Sequence, residues 1–305
     1  MSAFRRGPIR LLLATILVFV SLGFVAKVVG DQWDDIQSVE WNIHVGLLLV
    51  SIFVLTAGLG MAVVVWWYST RFFTEGTSYS VIFRAWAIPN LAKYIPGSIW
   101  VYVGSVGMLS RSRMTVAQAS AGMMLSLIFL YGTGILVGLP VSTILSIRYW
   151  GWVIVIGFMV LVALHMLYPQ ISLDLMARAG LLSHDMRLKS ARERQVLSAK
   201  TLLSSVMHWL LTGTAFFLFC ASVTSIRIET LPYLVATFAA AQTIGFLVLV
   251  VPAGIGVREA VLTLLLSQIV PSPAAAAIAV GSRIWFITAE ILCLFVAIAL
   301  GQFKD

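Results

Sequence analysis

The sequence predicts an all-α integral membrane protein: a polytopic bundle of six long spans plus two broken, re-entrant helical hairpins related by an internal repeat. Three observations carry this. The apolar set makes up 60% of 305 residues and charged residues 10%, against about 45–50% and about 25% in soluble domains. Six segments supply the roughly 20 mostly apolar residues that a span needs: 9–29, 43–68, 116–139, 150–168, 200–222 and 276–301. Two further apolar regions, 79–109 and 232–270, are interrupted by Pro and Gly.

One membrane domain, 1–305, accounts for the chain, with approximate halves 1–149 and 150–305 and a polar loop at 169–199. No long polar stretch is left over to build a water-facing core. The first span reads as uncleaved, because no small-x-small site closes the apolar run before Lys27. Cys220 and Cys293 both fall in apolar runs, where a free thiol behaves as a small hydrophobe.

Charge sets the orientation. The net +8 is spread over short segments between apolar runs, as the positive-inside rule requires, and not clustered as nucleic-acid binding requires. Arg5, Arg6 and Arg10 precede the first span, and Asp31, Asp34, Asp35 and Glu40 follow it. The expectation is a multi-pass protein of the cytoplasmic (inner) membrane with its N-terminus in the cytoplasm. Arg71 and Arg111 then belong on one side, so 79–109 should enter and leave by the same face. The 169–199 loop, with Arg178, Arg187, Lys189, Arg192 and Arg194, belongs on that side too. It reads either as a topology determinant or as a dock for anionic headgroups or a partner enzyme.

The breaks at Pro96-Gly97 and Pro252-Ala253-Gly254 lie 156 residues apart. At that offset Val101 meets Val257, Ala119 meets Ala275, Ala121 meets Ala277, Ser126 meets Ser282 and Phe129 meets Trp285. Interrupted apolar segments at matching places in two halves point to a transporter-type site, since freed N–H and C=O groups cannot face lipid. The two breaks are therefore expected to face each other near mid-depth, with Pro96, Gly97, Pro252, Gly254 and Gly256 supplying the backbone.

Ionisable residues within apolar segments are costly and mark function by default. Arg84, Lys93, Arg258, Glu259, Arg283 and Glu290 are such residues. One reading makes Arg258, Arg283 and Lys93 a cationic pocket for phosphate, with Glu259 orienting Arg258. The other makes Arg258 a structural partner of Glu259 or Glu290, with Arg84 snorkelling to the interface. Tyr94 and Glu290 complete the candidate headgroup set. The four histidines are scattered, no metal-ligand or nucleophile motif appears, and Gly134-x-x-x-Gly138 is a helix-packing motif. No metal, cofactor or enzymatic activity is expected.

Two segments, Asn90-Leu-Ala-Lys-Tyr-Ile-Pro-Gly-Ser-Ile-Trp100 and Val251-Pro-Ala-Gly-Ile-Gly-Val-Arg-Glu-Ala260, resemble signatures of the membrane domain of the lysylphosphatidylglycerol synthase/flippase family and its stand-alone flippase-like relatives. The resemblance covers residues 9–301. It implies a Pro-Gly break in each half, an arginine on the helix after the second, which Arg283 matches, and a role in moving a lipid or in making lipid-linked glycans. Where relatives carry Gly-Glu and then Arg after the first break, this chain has Ser98-Ile99-Trp100-Val101, so charge is concentrated in the second half.

The expected function is that of a lipid flippase or transporter for an anionic phospholipid or polyprenyl-phosphate-linked sugar. The alternative is a non-transporting membrane partner of a lipid-modifying enzyme or glycosyltransferase. A membrane lipid with an anionic headgroup is the expected partner, a homo-oligomer is also compatible, and nucleic acid is excluded.

Overall fold

The computed structural model describes residues 41–90, 99–111, 114–142, 144, 190–248 and 256–302, with isolated residues 30, 37, 153, 156 and 157. Among these, every extended element is helical: α1 Val45–Thr70, α2 Tyr79–Asn90, α3 Ile99–Ser110, α4 Val116–Gly138, α5 Ala191–Val223, α6 Leu231–Leu247, α7 Val257–Leu266 and α8 Ser272–Gln302. Among the described residues, five stretches are long and apolar enough to cross a membrane: Val45–Thr70, Val116–Val141, Arg192–Val223, Ile228–Leu247 and Ser272–Leu300. The protein is thus an all-α, multi-pass membrane bundle. The expected spans 9–29 and 150–168 lie outside the described residues, or nearly so, as does the 91–98 break.

Two elements differ from expectation. Residues 191–199 belong to α5 and not to the 169–199 loop. Ser190 and Glu193 form a reciprocal capping box, Glu193 N donating to Ser190 Oγ at 3.3 Å and Ser190 N to Glu193 Oε2 at 3.0 Å. That cap starts a helix ten residues before the apolar run begins, because charged residues extend a helix into water as readily as apolar ones extend it in lipid. The second difference is α6, expected as an arm of a broken hairpin: with the turn before it, it reaches spanning length over Ile228–Leu247.

By contrast α2 and α3, at 12 residues each, and α7, at 10, are short. At 1.5 Å per residue they rise about 15–18 Å, half of a hydrocarbon core of about 30 Å.

The four-helix order recurs. Ser110 and Leu266, the last residues of α3 and α7, are 156 apart, as are Val116 and Ser272, the first residues of α4 and α8. The matched serines also behave alike: Ser126 Oγ donates to Met123 O and Ser282 Oγ to Ala279 O, both at 2.6 Å.

Packing between the two sets centres on α1 and α5, which run antiparallel. His44 N donates to Ser222 O at 2.8 Å at one end, and Lys200 lies over the Tyr68 ring at 5.7 Å at the other. Gly58 and Gly213 permit the closeness. A Cβ on Gly58 would sit 2.7 Å from Thr212 Cγ2, and one on Gly213 2.7 Å from Val235 Cα in α6. Gly134 and Gly138 do the same for α4, the second lying against the Ala240 backbone of α6, as a small-x-x-x-small motif should. Gln118 Nε2 donates to Phe73 O at 3.0 Å, so α4 starts beside the end of α1. The chain between α1 and α4 therefore leaves and returns at one end of the bundle.

Candidate functional site

All eight helices contribute to one cavity of about 320 Å³. It lies at the midpoints of the long helices. Leu127 is the central residue of α4, His208 is one past the centre of α5, and Phe286 is one before that of α8; all three line the space. Its wall mixes rings such as Trp66, Trp86, Tyr102 and Tyr131 with the polar residues Asn90, Gln242, Arg258, Arg283 and Glu290. In lipid such a polar interior must be met by protein, water or a polar ligand.

The charged part is built around Glu259. The chain enters α7 through Gly256, whose φ of 85° is the left-handed conformation that glycine adopts without strain. That turn leaves the Gly256 N–H free of the helix ladder, and Glu259 Oε2 accepts from it at 2.7 Å. Oε1 accepts from Arg283 Nε at 3.0 Å and Nη2 at 2.9 Å, and Arg258 Nη1 stands 3.5 Å away. A carboxylate so surrounded by donors welds α8 to the start of α7.

Arg258 is 5% exposed. Its Nη2 donates to Ser282 Oγ at 3.0 Å, and its guanidinium packs over Phe286 and Phe238 at 5.5 and 5.8 Å from the ring centroids. Arg283 keeps 20% of its side chain exposed. Both arginines line the cavity, and Arg283 is the more open to a ligand.

The structural reading is met in part. Arg258 does pair with Glu259, yet it shares that carboxylate with Arg283, whose bonds to it are shorter. Glu259 is the anion at the start of α7. Glu290, 2% exposed, joins neither arginine in the bonds named; it accepts from Asn90 Nδ2 at 2.7 Å. Lys93, Tyr94, Pro96, Gly97, Pro252 and Gly254 lie outside the described residues, so of the expected facing breaks only Gly256 is placed.

Sequence reasoning passed over Asn90 and His208 as site residues. His208 Nδ1 is 2.8 Å from Gly58 O, and the ring lines the cavity. A polar residue at the middle of an apolar span was the signal in both cases, but a scattered histidine gains meaning only from its neighbours. Among the described residues no group of three His, Cys, Asp or Glu could hold a metal ion.

Compared with known proteins, the chain matches no family model and no curated protein.

Proposed function

We propose that the protein binds the anionic headgroup of a lipid in the central cavity and moves it across the cytoplasmic membrane while the tails stay in lipid. The observation that supports this best is the pair of guanidiniums, Arg258 and Arg283, on the wall of a cavity at mid-length of the spanning helices. Guanidinium forks suit phosphate oxygens, and binding energy at that depth offsets the cost of carrying a charge through hydrocarbon.

In this reading the whole chain, 1–305, is one membrane domain and its N-terminus is cytoplasmic. The segment between α1 and α4 is a re-entrant hairpin from the end that carries Arg71, Arg111, Arg192, Arg194 and Lys200, which the positive-inside rule assigns to the cytoplasm. The segment between α5 and α8 is its counterpart from the opposite face, with α6, which reaches spanning length together with the turn before it, as the longer arm. Antiparallel packing of α1 on α5 is the relation that an inverted repeat has, and rocking of its halves would alternate access.

Reconstitution of the purified chain in vesicles with fluorescent phosphatidylglycerol or a polyprenyl-phosphate sugar tests the reading. Transbilayer movement above that of empty vesicles is expected for one of them. Binding of a lipid-modifying enzyme without movement would favour the partner role, and altered lipid products would favour an enzyme.

A further inference from the structure

Each helix set reaches into the other at one equivalent position. Asn90 is the last residue of α2, and Phe246, 156 residues later, is the last but one of α6. Asn90 Nδ2 donates to Glu290 Oε1 in α8 at 2.7 Å. Phe246 stacks on Tyr131 in α4, with ring centroids 3.6 Å apart and planes 7° from parallel. The receiving positions correspond as well: Glu290 matches Gly134 at the same offset, and Tyr131 is one helical turn before Gly134, on the same face. One contact is therefore made twice, once with a buried carboxylate and an amide, once with two rings, and all four residues line the cavity.

The helices that carry these contacts start at opposite ends of the bundle. The α2 helix follows the end of α1 at Thr70, whereas α6 follows the end of α5 at Val223, and α1 and α5 are antiparallel. Freeing the inner tip of α2 therefore loosens the wall toward the Thr70 end. Freeing that of α6 loosens it toward the Val223 end.

We propose that Asn90–Glu290 and Phe246–Tyr131 are paired latches, positioning contacts that decide to which face the cavity opens. The polar latch is directional and buried, so it is lost only when its geometry is broken. The aromatic latch tolerates sliding of one ring over the other. The Val223 face therefore opens more readily in the unmodified protein. The proposal rests on the re-entrant, two-faced reading above but needs no particular lipid.

The test uses the full chain in sealed vesicles of known orientation, with Cys220 and Cys293 replaced by alanine and a single reporter Ala62→Cys on the cavity wall. A membrane-impermeant maleimide is applied to one face at a time. Tyr131→Ala is expected to raise labelling from the Val223 face about threefold to tenfold, in keeping with loss of one aromatic pair. Glu290→Ala is expected to raise labelling from the Thr70 face by about tenfold or more, in keeping with loss of a buried hydrogen bond that leaves Asn90 unsatisfied. The exchange Asn90→Glu with Glu290→Asn re-forms the bond in reverse and should restore the closed rate.

Both variants raising labelling from one and the same face, either leaving it unchanged, or an exchange that fails to restore it would overturn the latches. If a single variant does not fold, as judged by its elution as one species in detergent, the exchange alone decides. Face-specific labelling in a protein that moves none of the test lipids would sink the flippase reading and leave the latches standing.

Discussion

Arg283 donates two hydrogen bonds, from Nε and Nη2, to the same carboxylate oxygen of Glu259, while the other oxygen caps Gly256. Glu259 thus ties together the start of α7, the middle of α8 and Arg258. Removing it leaves the buried Arg258 and the partly exposed Arg283 without their shared anion, whereas removing Arg283 leaves Glu259 its contacts with Arg258 and Gly256. Loss of one partner from a buried ion pair costs about 3–5 kcal/mol. Glu259→Ala should therefore lower thermal stability in detergent far more than Arg283→Ala does. Equal losses from the two variants would mean that the network has no centre at Glu259.

Arg283 is the guanidinium open to the cavity, and Arg258 supports the wall beside it. Arg283→Ala should abolish lipid movement in vesicles while the protein still elutes as one folded species. Arg258→Lys keeps a charge beside Glu259 but loses the planar fork that reaches Ser282, so partial movement is expected. Normal movement by Arg283→Ala, or failure only through unfolding, would make the arginines structural.

Gly213 faces the backbone of Val235, which cannot turn aside as a flexible side chain can. Gly213→Ala should cost about 1–3 kcal/mol by overpacking the α5–α6 contact. Gly46, with no atom within 4 Å of a built Cβ, is the control, and Gly46→Ala should be neutral or slightly stabilising because alanine favours helix. Reversible unfolding in mixed micelles measures both.

The ends of the bundle should be distinguishable from outside the cell. Ser190→Cys, at the start of α5 on the basic end, should resist an impermeant maleimide applied to intact cells, and Glu229→Cys, between α5 and α6, should react. The opposite pattern would invert the orientation and with it the face assigned to each hairpin.

Much of the bundle was legible in the residues. Composition set the solvent as lipid, and runs of about 20 apolar residues set four of the long helices to within a few residues, except where Ser190 and Glu193 extended α5 into polar sequence. The 156-residue offset, visible in a handful of matched positions, recurs in the helix ends themselves. What depended on three dimensions was partnership. Arg258 and Arg283 could be named from their cost in an apolar segment, but nothing in their spacing says that both share Glu259.

The sequence by itself determined the helical class, the membrane setting and which ionisable residues needed partners, because hydropathy and the cost of burying charge are local properties of the chain. Only the tertiary structure decided that Asn90 meets Glu290, 200 residues away, and that His208 meets Gly58 across the α1–α5 contact. The reason is geometric. A buried polar group must find a donor or acceptor within about 3 Å, and which one it finds depends on how two helices are rotated and offset, a quantity fixed by the packing of all their side chains together.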